Sequence, residues 1–84
     1  MFDNTSYEVG IQLGQKSYTK NKLFYKEIYN TLETEDDAIE VMLNCWLAEE
    51  LIINLVCADL DNESVRKGWS KGFLDCLFPL RKFC

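Results

Sequence analysis

Residues 34–60 read TEDDAIEVMLNCWLAEELIINLVCADL, and this stretch decides the fold. It contains no glycine and no proline. Thr34 with Asp37 is an N-cap pattern, and Glu35, Asp36 and Asp37 fill a first turn where negative charge favours the helix dipole. The spacing predicts one long helix over 35–60, about 40 Å at 1.5 Å per residue. Ile39, Met42, Cys45, Trp46, Ile52, Ile53, Val56 and Leu60 form its main apolar face. Leu43, Leu47, Leu51 and Leu55 recur every four residues on roughly the opposite side. A helix apolar on two sides is either central in a bundle or turns one side to a partner chain. Glu40, Glu49, Glu50 and Asn54 interrupt it throughout, which excludes a membrane span.

Shorter helices flank this rod. Thr5 and Glu8 form a capping-box pattern, so a first helix is expected over 6–19, with Gly10 and Gly14 on the face of Tyr7, Ile11 and Tyr18. Two glycines inside one helix cost about 2 kcal/mol of propensity, tolerable where another backbone lies close against them. Asn21 reads as a cap or hinge before a second helix over 22–33, striped by Phe24, Ile28 and Leu32 with Tyr25 and Tyr29 beside them. Asp61 or Asn62 caps a fourth helix over 62–78, stopped by Pro79, with Val65, Trp69, Phe73, Cys76 and Leu77 as its stripe. Gly68-Trp69-x-x-Gly72 there matches Gly10-Ile11-x-x-Gly14 in the first helix, a shared device for admitting a close neighbour. A basic, apolar tail follows over 79–84.

The fold class is therefore all-α: a single domain, 1–84, built as a compact bundle of about four helices around a long third helix. A chain of 84 residues has room for one domain, and one proline with four glycines supplies too few turns for an all-β fold. No histidine occurs, and Cys45, Cys57, Cys76 and Cys84 include no Cys-x-x-Cys pair, so no metal or other cofactor is expected. Residues 1–10 lack a basic segment and an apolar run, so no secretory signal is read and a cytoplasmic location with reduced cysteines is expected.

Enzyme signatures are missing. There is no phosphate-cradling glycine loop, because each Gly-x-x-x-Gly lies inside a helix. Without histidine, a serine or cysteine nucleophile has no ordinary base, and Cys45, Cys57 and Cys76 fall on apolar stripes. Glu49 projects into the main apolar face of the third helix. Buried alone it would be a candidate acid or base; the favoured reading is that it pairs with Lys16, Lys20 or another base. Trp46 and Trp69 are core residues, and the tyrosines are core-edge packing.

Charge is the most informative feature left. Residues 1–32 sum to +1, residues 33–63 hold ten acids and no base, and residues 64–84 sum to +4, giving a net charge of −5. The bases at either end either fold back onto the acids of the third helix or leave them exposed. An exposed set, Glu33, Glu35, Asp36, Asp37 and Glu40 at the start of that helix with Asp59, Asp61 and Glu63 at its end, would steer a basic protein partner. The N-terminal set is preferred, with five acids in eight residues. A pI near 4.6 disfavours nucleic acid as the partner.

In size, acidity and helical content the chain resembles bacterial toxin-immunity proteins and small phage-encoded inhibitors of host nucleases. The resemblance implies a non-enzymatic inhibitor of a basic nuclease, toxin or nucleic-acid-binding protein, and no site residue is carried over from it. The alternative expectation is a structural or regulatory homodimer with Leu43, Leu47, Leu51 and Leu55 as its seam.

Overall fold

The computed structural model describes residues 3–77. They form four helices in chain order: α1 (Asn4–Phe24), α2 (Lys26–Asn30), α3 (Glu35–Val56) and α4 (Asn62–Leu77). Among the described residues there is no strand, so the architecture is the all-α bundle that the pattern of residues predicts. None of these helices is long and apolar enough to cross a membrane.

The bundle is organised by the pairing of α1 with α4. The two run parallel, since Gly10 meets the backbone of Val65 and Trp69 while Gly14 meets that of Trp69 and Phe73. From the other side Gly68 lies on Tyr7 and Ile11, and Gly72 on Ile11. A Cβ at Gly14 would overlap the Trp69 carbonyl oxygen, and one at Gly68 the Tyr7 carbonyl oxygen. These are backbone atoms that cannot swing aside. The glycines expected to admit a close neighbour therefore admit each other's helix.

The same pair is joined by a longer repeat than the glycines alone suggest. Asp3-Asn4-x-Ser6-x-x-x-Gly10-x-x-x-Gly14 recurs as Asp61-Asn62-x-Ser64-x-x-x-Gly68-x-x-x-Gly72. The backbone N–H of Asp3 donates to Ser64 Oγ (3.0 Å), and that of Asp61 donates to Ser6 Oγ (3.0 Å). Each hydroxyl in turn donates to the aspartate of its own helix, Ser6 to Asp3 Oδ2 (3.0 Å) and Ser64 to Asp61 Oδ2 (2.6 Å). Both serines are fully buried and fully used. The exchange is reciprocal, so the two helix starts are related by a local two-fold axis between them.

Helix α3 packs across this pair through Ala38, Met42, Cys45, Trp46 and Ile53. An aromatic chain threads the core. Trp46 meets Trp69 edge-on (5.1 Å between centroids), Trp69 stacks on Phe73 (5.1 Å), and Tyr18 meets Phe73 and Tyr29 edge-on (5.6 and 5.5 Å). All four helices contribute a ring. Trp69 and Phe73 have no exposed surface at all. Such contacts are each worth about 0.5–1.5 kcal/mol beyond their area.

Several boundaries differ from the sequence reading, each for a local reason. Helix α1 starts at Asn4 rather than Ser6 because Asp3 is its cap, with Oδ1 accepting from the N–H of Thr5 (3.0 Å) and Ser6 (3.4 Å). It runs on through Asn21 to Phe24, because Asn21 is no hinge: its Nδ2 donates back to the Ser17 carbonyl (2.8 Å) inside the helix. The second helix shrinks to the five residues of α2. Its expected stripe turns outward, Phe24 and Ile28 being exposed while Tyr29 and Leu32 are buried. Helix α3 begins at the expected Thr34 cap, whose Oγ1 accepts from Asp37 N–H (3.1 Å), but ends at Val56 instead of Leu60. Asp59 and Asp61 would oppose the negative end of the dipole there, and a tight turn from Cys57 to Leu60 intervenes. Pro79 and the tail 79–84 lie outside the described residues.

Candidate functional site

The outward side of α3 is the most unusual surface of the molecule. Leu43, Leu47, Leu51 and Leu55 are 43%, 68%, 75% and 73% exposed. At 100° per residue each stands about 40° round from the last, so the four sweep a sector of about 120° directly opposite the buried face. Glu40 falls in the middle of that sector and Asp36 and Asp37 at its edges, one to two turns before the first leucine. The side thus begins acidic and continues apolar. The period of four residues revealed both stripes of α3, and only packing shows which one is covered.

The inner stripe also loses two members. Ile52 and Val56, assigned to the core from their spacing, are 60% and 70% exposed. They border an open cleft that Leu13, Lys16 and Lys20 of α1 line from the other side. A second cleft, between the α1–α2 corner and α3, is lined by Tyr25 and Ile28 against Val41, Asn44 and Ala48. It lies along the flank of the leucine sector. Sequence reasoning missed the apolar corner that walls it, where Leu23 and Phe24 are also exposed. The signal was the two lysines, Lys22 and Lys26, that interrupt the presumed stripe.

The acids separate into two groups with different surroundings. Glu33, Glu35, Asp36, Asp37 and Glu40 are all exposed, and none makes an ion pair among the described residues. Asp59, at the far end of α3, is likewise exposed and unpaired there. Asp61 is taken up by the fold: its carboxylate caps α4, accepting from Ser64 N–H (3.0 Å) and Ser64 Oγ–H, which hold its pKa below the ordinary carboxylate value. Glu63 pairs with Lys67 one turn on (3.5 Å). The eight acids therefore do not form one site, since α3 spaces the two groups by about 30 Å.

Lys20, Lys22, Arg66, Lys67 and Lys71 are engaged elsewhere. Lys71 pairs with Asp75 (3.0 Å), Lys22 lies over the Tyr18 ring (5.8 Å) and Arg66 over the Trp46 ring (5.7 Å). Among the described residues Lys20 is the lysine that pairs with α3, its Nζ 4.0 Å from Glu49 Oε1. Glu49 also accepts from Ser17 Oγ–H and from Asn21 Nδ2 (3.2 Å). Its side chain is 19% exposed, and it is a polar strut between α1 and α3. Sequence reasoning named Lys20 and missed Ser17 and Asn21, whose i,i+4 spacing on α1 was the available sign.

Cys45 and Cys57 are buried and Cys76 half-buried, all as free thiols. Burial pushes each thiol above its ordinary pKa, away from the reactive thiolate. The described residues hold no group of three His, Cys, Asp or Glu placed to bind a metal ion. Comparison with protein-family models, with curated proteins and with solved structures finds no match.

Proposed function

We propose that this protein is a non-enzymatic binding module that neutralises a basic protein, of the immunity-protein or phage-inhibitor kind, with a nuclease, toxin or nucleic-acid-binding protein as its target. The observation that carries this reading is the state of Glu33, Glu35, Asp36, Asp37 and Glu40: five exposed carboxylates with no ion pair among the described residues, while Lys20, Lys22, Arg66, Lys67 and Lys71 are engaged elsewhere. Exposed carboxylates at a helix start also stabilise that start, which accounts for Glu35, Asp36 and Asp37 in part. Glu33 precedes the helix and Glu40 lies beyond its first turn, so neither is accounted for in that way. Capture of a basic protein from source-cell lysate, strong at about 50 mM salt and lost at about 500 mM, is the expected result. Reversal of Asp36 and Asp37 to lysine is expected to abolish it. Capture that survives the reversal removes the N-terminal acids as the contact.

A second reading, a helical homodimer joined at Leu43, Leu47, Leu51 and Leu55, is favoured by the exposure of those leucines. Sedimentation equilibrium distinguishes it, since a monomer at millimolar concentration leaves no seam.

A further inference from the structure

We infer that the leucine side of α3 is the seat for one amphipathic helix of a basic partner, lying antiparallel to α3 with its lysines and arginines in its C-terminal turns. The inference rests on the binding reading above and names the shape of what is bound.

Three features of the surface specify that occupant. The leucines step four residues at a time along one helix, so Leu43 to Leu55 form a single ridge about 18 Å long, inclined to the helix axis, of the kind that packs into the groove of a second helix. The cleft walled by Tyr25 and Ile28 runs along the flank of the strip and makes a one-sided groove. The charge that α3 and the segments at its two ends carry is of one sign only. Glu40 stands among the leucine directions, Asp36 and Asp37 precede it, and no base occurs anywhere in residues 33–63.

That last feature chooses between a second copy and a different protein. Two copies of α3 placed parallel set Asp36, Asp37 and Glu40 against themselves. Placed antiparallel, they set those acids against Asp59 and its neighbours. Either way carboxylates face carboxylates across an apolar seam, which is destabilising. A basic helix meets no such penalty. The orientation follows from the dipoles: basic side chains are favoured in the last turns of a helix, and a C-terminal end is favoured beside the N-terminal end of α3. Both preferences are met when the partner helix runs antiparallel.

The test uses the full chain and two designed peptides of about 20 residues, long enough to cover the strip and the acids. Both carry a leucine face; one has four lysines or arginines in its last two turns, the other has the same four in its first two. Fluorescence anisotropy should show the first bound at least about tenfold more tightly at low salt, with the preference shrinking as salt rises. Leu47→Gln with Leu51→Gln should weaken binding of the first peptide at least about tenfold at either salt, with the circular dichroism spectrum unchanged. Equal affinity for the two peptides, no saturable binding of either, or unchanged affinity in the leucine variant overturns the inference. So does a dimer that the leucine variant dissolves, which gives the strip to a second copy. A tenfold gain on deleting residues 78–84 also overturns it, by giving the strip to the chain's own tail. A leucine variant that still captures a basic protein through Asp36 and Asp37 sinks the helix seat and leaves the acidic contact standing. Capture unaffected by both sets of substitutions sinks both.

Discussion

The α1–α4 seam and the outward side of α3 are opposite solutions to being a helix surface in a small protein. The seam is made of the smallest residues, brings backbone against backbone, and leaves no hydroxyl or cap without a partner. The outer side of α3 carries four large aliphatic residues, three of them more than two-thirds exposed. In the seam four glycines sacrifice about 1 kcal/mol each of helix propensity, a loss that close packing must offset. On α3 the outward leucines have good propensity and little packing. A chain of this size has little stability to spare. The contrast therefore says that folding is decided at the seam and the aromatic core, and that the leucine strip is free of folding duty.

Breaking the seam should have the largest effect. Gly14→Ala and Gly68→Ala each add a methyl group against a fixed carbonyl, so the helices must separate along their whole contact. The expected cost is about 3 kcal/mol or more for each, measured by urea unfolding, with outright failure to fold as the extreme. The sign is the informative part. At an open helical position the same substitution stabilises by about 1 kcal/mol. A neutral or stabilised alanine variant at either position would show that the helices do not approach as described.

The serines come next. Ser6→Ala leaves the N–H of Asp61 without its acceptor, and Ser64→Ala does the same to Asp3. Each is expected to cost about 1–3 kcal/mol, since a partly buried donor is orphaned as well as a bond lost. Because each serine braces both helix starts, the double variant should differ from the sum of the singles, whereas Ser6→Ala with a distant core change should be additive. Acid should reach the same device. Asp61 is held below its ordinary value of 3.8, so its contribution is present above that pH and is lost as pH falls beneath it. Asp61→Asn should flatten the acid limb of the stability–pH curve.

How much of this contrast was visible in the sequence differs between its halves. The glycine pairs announced a close neighbour, yet nothing in their spacing named it, because pairing of α1 with α4 is a contact across almost the whole chain. The matching aspartates and serines lie in plain view at the same offset as the glycines. They look like ordinary caps until the hydrogen bonds are seen to cross. The long α3, its Thr34 cap and the burial of Trp46 and Trp69 were legible because period, capping chemistry and size all agree there. Ile52 and Val56 were misplaced because a helical wheel assumes cover along the full length, and the end of α3 overhangs a cleft. For the candidate site, the excess of acid was a matter of counting. That Lys22 and Arg66 turn to rings, and Lys67 and Lys71 to their own helix, instead of to Glu35, Asp36 and Asp37, depends on geometry.

Alkaline pH probes the core between the two regions. Burial, with the Cys45 thiol beside it, raises the Tyr29 phenol well above its ordinary 10.0, and burial raises Cys45 and Cys57 above 9.0. These groups stay neutral in the folded chain after they have ionised in the unfolded one. Their contribution is complete below pH 9, and stability should decline as pH rises from about 9 upward. Cys45→Ala with Tyr29→Phe should reduce that decline. An alkaline slope that is unchanged in the double variant would place the responsible groups elsewhere.

The smallest expected effect is the sharpest test of the contrast. Leu47→Gln and Leu51→Gln exchange two exposed side chains for polar ones of similar helix propensity, so unfolding free energy should change by no more than about 0.5 kcal/mol. Buried leucines lose several times that when truncated. The comparison with Ile53→Ala on the inner side of the same helix supplies the scale, because Ile53 is 6% exposed and should cost about 2–5 kcal/mol. If the two leucines prove as costly as Ile53, something in the free protein already covers them. Their worth to the fold would then be real, and the strip would not be open to a partner.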